Sequence, residues 1–200
     1  MKTLICSAFS LESEYIKNAL SELQTFEQEG DIWYRGKFYT KILYLVEDSN
    51  NIKDIDSLLE TVINNEGIFQ VITIGLGTSL NEKLRPGDVL IEDHPADSCQ
   101  RLVDLFLNSN SVEEDESASL RIFAGNIFTE TPQELSQDTL GCLDLEGDNL
   151  FKFLQNKGLP TLNIRVIVPE AKEEVLEDEI YKVIAQKLLV LLKKAVEHLG

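Results

Sequence analysis

Of the 2 histidines in this 200-residue chain, His94 and His198, only His94 stands in a setting that suggests chemistry. His94 stands in Asp93-His94-Pro95-Ala96-Asp97. A histidine flanked by aspartates can orient a base or bind a metal. Pro95 favours a turn with solvated acids instead, and no second His or Cys sits at ligand spacing. No metal site and no cofactor is therefore expected. Glu12 falls in the first turn of a helix that Ser10 can cap. Alone, such a residue complements the helix dipole; the alternative is a general base. Glu146 leads into another helix. Gly75-Leu76-Gly77-Thr78-Ser79-Leu80 follows an apolar strand. A turn of this kind lets backbone approach a ligand at the carboxyl edge of a sheet, or is only a tight strand-to-loop turn. Arg165 lies within an apolar run, where a charge needs a partner. Asp144 and Glu146 are the candidates.

The elements that would position these groups follow from periodicity. Thr3 to Phe9 is a first buried strand, and Leu11, Tyr15, Ala19 and Leu23 share a face of the helix after it. Asp31 to Val46 alternates apolar and polar residues around Gly36, as an antiparallel pair does. Ile55 to Ile63 is a helix with Leu58, Leu59 and Val62 inward. Phe69 to Ile74 and Leu120 to Ala124 are strands. Beyond Glu146, Leu150, Phe153 and Leu154 recur at helical spacing; Gly158 can end that helix in the left-handed conformation, and Pro160 prevents its restart. Thr161 to Val168 is β-branched and apolar without alternation, as in a parallel strand buried on both faces. A last helix from about Glu177 carries Ile180, Val183, Ile184, Leu188, Leu191, Leu192 and Ala195 on one stripe.

Composition narrows the classes. The length suits one α/β domain over residues 1–200. A formal net charge of −17 repels phosphate backbones and anionic membranes, so neither nucleic acid nor membrane is an expected partner. Cys6, Cys99 and Cys142 are odd in number and unpaired in spacing, as for reduced thiols in a cytoplasmic protein. The amino terminus has no signal-peptide pattern.

Two stretches carry a resemblance. Leu84-Arg85-Pro86-Gly87-Asp88-Val89-Leu90-Ile91 resembles the Leu-x-Pro-Gly-Asp-Val-Val-Val strand of the purine nucleoside phosphorylase/uridine phosphorylase superfamily. Leu143-Asp144-Leu145-Glu146-Gly147, followed by Arg165-Val166-Ile167-Val168-Pro169, falls without a gap on its Val-Glu-Met-Glu-Ala and Arg-Ala-Ile-Ser-Asp signatures. Within the superfamily the chain is most similar to 5'-methylthioadenosine/S-adenosylhomocysteine nucleosidase. The resemblance implies a mixed central sheet flanked by helices, a nucleoside or purine base as small-molecule partner, and a homodimer. It implies a ribose-binding role for Glu146, with Leu145 beside it, and a general-base role for Glu12. It places Gly75, Gly77 and Thr78 at the substrate, and Phe128 of Gly125-Asn126-Ile127-Phe128 against the base; Phe128 can equally fill the core.

The departures matter as much. The family's catalytic Asp is Pro169 here. Leu76 replaces a Ser of the glycine-rich turn, and Glu47-Asp48-Ser49-Asn50-Asn51 replaces a second one, Ser-Gly-Ile-Gly-Lys. The segment between Ile91 and Arg121 is short, with an acidic run, Glu113-Glu114-Asp115-Glu116, read as a solvated loop. No phosphate-binding Arg follows the first strand. The resemblance therefore implies N-riboside cleavage by hydrolysis rather than phosphorolysis, or a degenerate site that binds a nucleoside or acts through protein contacts.

Overall fold

Strand-forming runs dominate the chain, and a computed structural model assembles them into one mixed sheet. It describes residues 2–7, 10–28, 30–47, 54–93, 104, 121–134, 136, 139–144, 153–154, 156–169, 186 and 189–193; for residues 10–12 it describes the backbone. The strands are β1 (Thr3–Ser7), β2 (Ser21–Gln28), β3 (Asp31–Phe38), β4 (Lys41–Glu47), β5 (Gln70–Ser79), β6 (Val89–Glu92), β7 (Ile122–Phe128), β8 (Gly141–Asp144) and β9 (Thr161–Val168). Helices α1 (Ser10–Ala19) and α2 (Ile55–Glu66) connect the first half.

The strand order is β2-β3-β4-β1-β5-β8-β7-β6-β9, and β9 returns to pair with β5. Strands β5, β8, β7, β6 and β9 thus close into a small barrel, and β1 to β4 extend from it as an open sheet. β5 can hold both parts together because it is ten residues long. Its first half pairs with β1, its last three residues pair with β8, and its other edge carries β9 in parallel from Val71↔Thr161 to Thr78↔Val168.

Alternation sorts the side chains into layers. Ile5, Leu43, Leu45, Ile72, Ile74, Leu76, Val89, Ile91, Ile164 and Val166 face one side, where Ile16 and Leu20 and the helical Leu191 and Leu192 cover them. Leu4, Cys6, Tyr44, Val46 and Val71 face the other, against Leu58, Leu59 and Val62 of α2 and Leu154. The expected inward face of α2 is therefore correct. β9 spans the predicted residues, is buried on both faces, and is parallel to β5. Gly158 has φ +62°, the left-handed conformation expected at the end of its helix. Leu150 and, on the last helix, Ile180, Val183, Ile184, Leu188 and Ala195 lie outside the described residues, as do Phe9, His94, Cys99, the Glu113–Glu116 run, Leu145, Glu146 and His198.

Three expectations need correction. The first helix does not reach Leu23: α1 stops at Ala19, and Ser13, Ile16 and Leu20 are its buried side rather than Tyr15 and Ala19. Leu20 packs on the bare backbone of Gly36, where a Cβ would lie 2.8 Å from Leu20 Cβ. The next residues are free to form β2, paired with β3. Second, the antiparallel pair does not turn at Gly36, which lies inside β3; the chain reverses at Tyr39 and Thr40, with Tyr39 at φ +53°. Third, Gly75-Leu76-Gly77-Thr78-Ser79 is not a strand-to-loop turn. It is the second half of β5, kept extended by the β9 ladder.

Cys6 and Cys142 are free, buried thiols. Burial pushes each up to about 12. In the unfolded chain such thiols ionise near pH 8.5. Stability from this source is therefore complete below that pH and falls as pH rises toward 12. In a Cys99→Ala variant, neither remaining thiol should react with Ellman's reagent at pH 8 until urea unfolds the protein. Prompt reaction of the native variant would refute their burial.

Candidate functional site

The site lies where four strands meet at one level of the sheet. Phe128 of β7 is opposite Leu143 of β8, Leu143 is opposite Thr78 of β5, and Thr78 is opposite Val168 of β9. Alternation places all four on one face. Val168 belongs to the core layer on the α1 side, and Leu76 places Thr78 there too. Ile127 and Cys142, which belong to the barrel interior, place Phe128 and Leu143 on the opposite face from themselves. The Phe128 ring is half-buried over Gly141, where a Cβ would lie 2.9 Å from Phe128 Cε2. Pro169 directly follows Val168. Leu145 and Glu146 directly follow Asp144, the last residue of β8. Glu12 lies on α1, within its first turn. Of the sequence-predicted residues on described strands, Phe128 and Thr78 stand in this row, whereas Gly75 and Gly77 turn toward the barrel interior.

Behind the row, inside the barrel, is a chain of buried polar groups. Arg165 and Asp144 are each 3 % exposed in their side chains and form an ion pair, Nη2 to Oδ2 at 2.7 Å. Arg165 Nη1 donates to Thr73 Oγ1 at 3.1 Å and to the Ile164 carbonyl at 2.9 Å. Thr73 Oγ1 donates to Asn163 Oδ1 at 2.6 Å, and Asn163 Nδ2 donates to Glu92 Oε2. Asp144, one of the two partners expected for Arg165, is therefore a partner in fact.

The guanidinium reaches β8 from β9 only by crossing β5. It crosses at Gly75, whose missing Cβ would stand 3.5 Å from Arg165 Nε. One step further along, a Cβ on Gly77 would stand 2.9 Å from Cys142 Sγ. On the facing strand, a Cβ on Gly125 would meet the Leu140 carbonyl oxygen at 2.6 Å. A five-stranded barrel is narrower than the eight-stranded kind whose interior side chains just fill. Glycine on its walls makes room for one arginine. The packing of Arg165 and Cys142 thus accounts for the glycines of β5.

The Leu84–Ile91 motif also has a structural reason. Gly87, at φ +88°, donates its N–H to the Ile167 carbonyl at 2.7 Å. Asp88 is buried, and its Oδ2 accepts from the Arg85 N–H at 2.7 Å, closing the turn that delivers β6 to β9. Sequence reasoning overlooked Thr73, Asn163 and Glu92. The available signal was a polar residue in each of two apolar runs, with Asn163 and Arg165 two apart on one face of the same strand.

Removing one partner of a buried ion pair leaves the other charge uncompensated, at a cost of about 3–5 kcal/mol. Arg165→Met should lose that much stability in urea unfolding. Arg165→Met combined with Asp144→Leu should lose less than Arg165→Met alone. Equal stability of Arg165→Met and parent would refute the network.

No protein-family model matches the chain, and neither does any curated protein sequence. Solved structures do. A futalosine hydrolase mutant of Helicobacter pylori superposes with TM-score 0.74 at 18% identity, covering 100% of both chains. The methylthioadenosine/S-adenosylhomocysteine nucleosidase (MTAN) of Helicobacter pylori gives 0.73 at 16% identity, again with 100% of both chains covered. The corresponding nucleosidase of Colwellia psychrerythraea, in complex with adenine, gives 0.74 at 16% identity, covering 98% of this chain and 95% of that one. The chain has the mixed α/β fold of these nucleosidases along its whole length.

Proposed function

We propose that this protein acts on a nucleoside-like N-riboside, in the cleft bounded by the row Phe128–Leu143–Thr78–Val168. The observation that carries the reading is the row itself. Phe128 and Thr78, two of the positions singled out by resemblance, share one face and one level of a fold that nucleosidases share, which supports the reading. Cleavage of an N-ribosidic bond builds positive charge on the sugar and negative charge on the departing base. In this reading Glu146, with Leu145 beside it, holds the ribose hydroxyls, and Glu12 activates water. Phe128 lies along the base, Thr78 faces the cleft, and Gly75 and Gly77, whose side-chain positions face the barrel interior, offer it only backbone. With no arginine after β1 to hold phosphate, water is the acceptor.

Pro169 favours the second reading, a site that binds a nucleoside without turning it over efficiently. It directly follows the Val168 end of the row, where an acid would protonate the leaving purine. Proline has no proton to give, and general-acid help is worth about 10²–10⁴-fold in rate. Repair of this position alone should recover little, since groups that act as a unit fail together.

The test is free-base release from methylthioadenosine, S-adenosylhomocysteine, futalosine, adenosine and inosine, by parent and by Pro169→Asp. The expected result is slow release by the parent and little gain in the variant. A large gain would show an otherwise intact site and overturn the second reading. Glu146→Gln should weaken nucleoside binding in calorimetry without changing the unfolding midpoint. Equal binding would remove Glu146 from the site. The same reading includes a homodimer, for which light scattering should return twice the chain mass.

A further inference from the structure

The end of β4 bears a polar cluster that the cleft reading leaves unused. Lys17 Nζ of α1 lies 2.8 Å from Glu47 Oε2 and 4.7 Å from the centroid of the Tyr34 ring. Tyr34 donates its hydroxyl proton to Glu47 Oε1 at 3.0 Å. Both carboxylate oxygens are thus engaged, with the Glu47 side chain 19% exposed and that of Lys17 23%. Burial alone would lower the Lys17 pKa; the hydrogen bond and charge of Glu47 outweigh it, and the ammonium ionises above its ordinary range. Burial, then the Glu47 carboxylate, pushes the Tyr34 hydroxyl up in turn. Lys17 therefore stays a cation and Tyr34 a neutral phenol across the neutral range.

Its place in the chain gives it a consequence. Glu47 is also the register partner of Ser7, the last residue of β1. The chain leaves β1 at Ser7, enters α1 at Ser10, and returns to Glu47 through Lys17. The arc from Ser7 to Lys17 is therefore fixed at both ends to one residue, by backbone pairing at one end and by the ion pair at the other. Glu12 lies within that arc. Between them, Ser13 and Ile16 are buried, so the arc is seated on the sheet as well as tied at its ends.

We propose that Glu47, through Lys17 and Tyr34, is a positioning residue that fixes the α1 backbone on which Glu12 stands. This rests on the reading of Glu12 as the base that activates water. A rigid seat matters because misplacement of a catalytic group by about 1 Å can cost on the order of 10²-fold in rate. Loop closure on one residue is an economical way to limit that motion, since the arc is short and its closure entropy small.

Glu47→Gln keeps the shape and the Tyr34 hydrogen bond but removes the charge that holds Lys17. Lys17→Met removes the other half, and Lys17→Arg restores a cation. Glu60→Gln breaks the exposed Lys157–Glu60 pair and is the control. With the nucleoside that the parent cleaves fastest, Glu47→Gln and Lys17→Met should each lower kcat about 10-fold with KM within about twofold of the parent. Lys17→Arg should recover most of kcat, and Glu60→Gln should match the parent. Amide hydrogen exchange of residues 10–17 should be faster in Glu47→Gln than in the parent, which reads the clamp without any turnover. Unchanged kcat and unchanged exchange in Glu47→Gln would overturn the positioning role. Faster exchange with unchanged kcat would also overturn it, leaving the cluster as structure only. A parent that releases no base from any of these nucleosides would instead overturn the catalytic reading on which the proposal rests.

Discussion

One ion pair sets the terms for the second half of the molecule. Arg165 and Asp144 sit on strands that are not neighbours, and their side chains meet across β5. Two charges removed from water must satisfy each other and find partners for their remaining polar atoms; here both Nη atoms of Arg165 are bonded, while Nε, against Gly75, has no hydrogen-bond partner among the described residues. That requirement explains the glycines at 75 and 77, the threonine at 73 and the asparagine at 163, none of which a purely apolar barrel would need. It also fixes the end of β8 relative to β9. In sequence those ends lead to Glu146 and to Pro169, the two positions on which the proposed site turns. The cleft and the barrel interior are two faces of the same strand ends, and the ion pair ties them together.

Legibility in the sequence followed the strength of the local signal. β9 was readable to the residue because an eight-residue run rich in β-branched and apolar side chains lies between Pro160 and Pro169, too short for a helix and bounded by residues that stop one. α2 was readable because Leu58, Leu59 and Val62 fit a helical stripe, though the helix runs on past Ile63 to Glu66, where Gly67 caps it at φ +61°. β2 was missed. Its residues from Ser21 to Gln28 are nearly all exposed, so no burial pattern marks them, and Leu23 continues the spacing of the preceding helix by coincidence. The decisive fact, Leu20 against Gly36, is a contact between distant residues. The second half of β5 was missed for the opposite reason. Glycine ordinarily signals a turn, and only the partner strand shows that these glycines make room inside a barrel.

The candidate site was legible unevenly. Resemblance singled out Glu12, Phe128 and Glu146 for the proposed site, and the requirement that buried charge be paired located Asp144 for Arg165. Glu47 was visible only as a departure from a glycine-rich turn. Its partners come from a helix and a neighbouring strand, 30 and 13 positions away in the sequence. A flexible turn has been replaced by a carboxylate held on both oxygens, so this edge of the cleft exchanges backbone freedom for fixed charge. In the proposed reading, Glu47 bears on seating a base and Pro169 on supplying an acid.

The closed barrel also dictates an order of synthesis. β5 must pair along one whole edge with β9, and Thr73 and Asn163, which join them, are 90 positions apart. While the ribosome is still making the intervening chain, that edge of β5 has no partner and its apolar row is uncovered. The open sheet of β1 to β4 can form early from local pairings, but the barrel cannot close until residue 168 has cleared the exit tunnel. Long-range pairing of this kind is slow and leaves unpaired strand edges in the interim. The nascent chain is therefore most exposed to aggregation between the completion of β5 and the arrival of β9, and truncation anywhere in that interval would leave a sheet with a hydrophobic open seam.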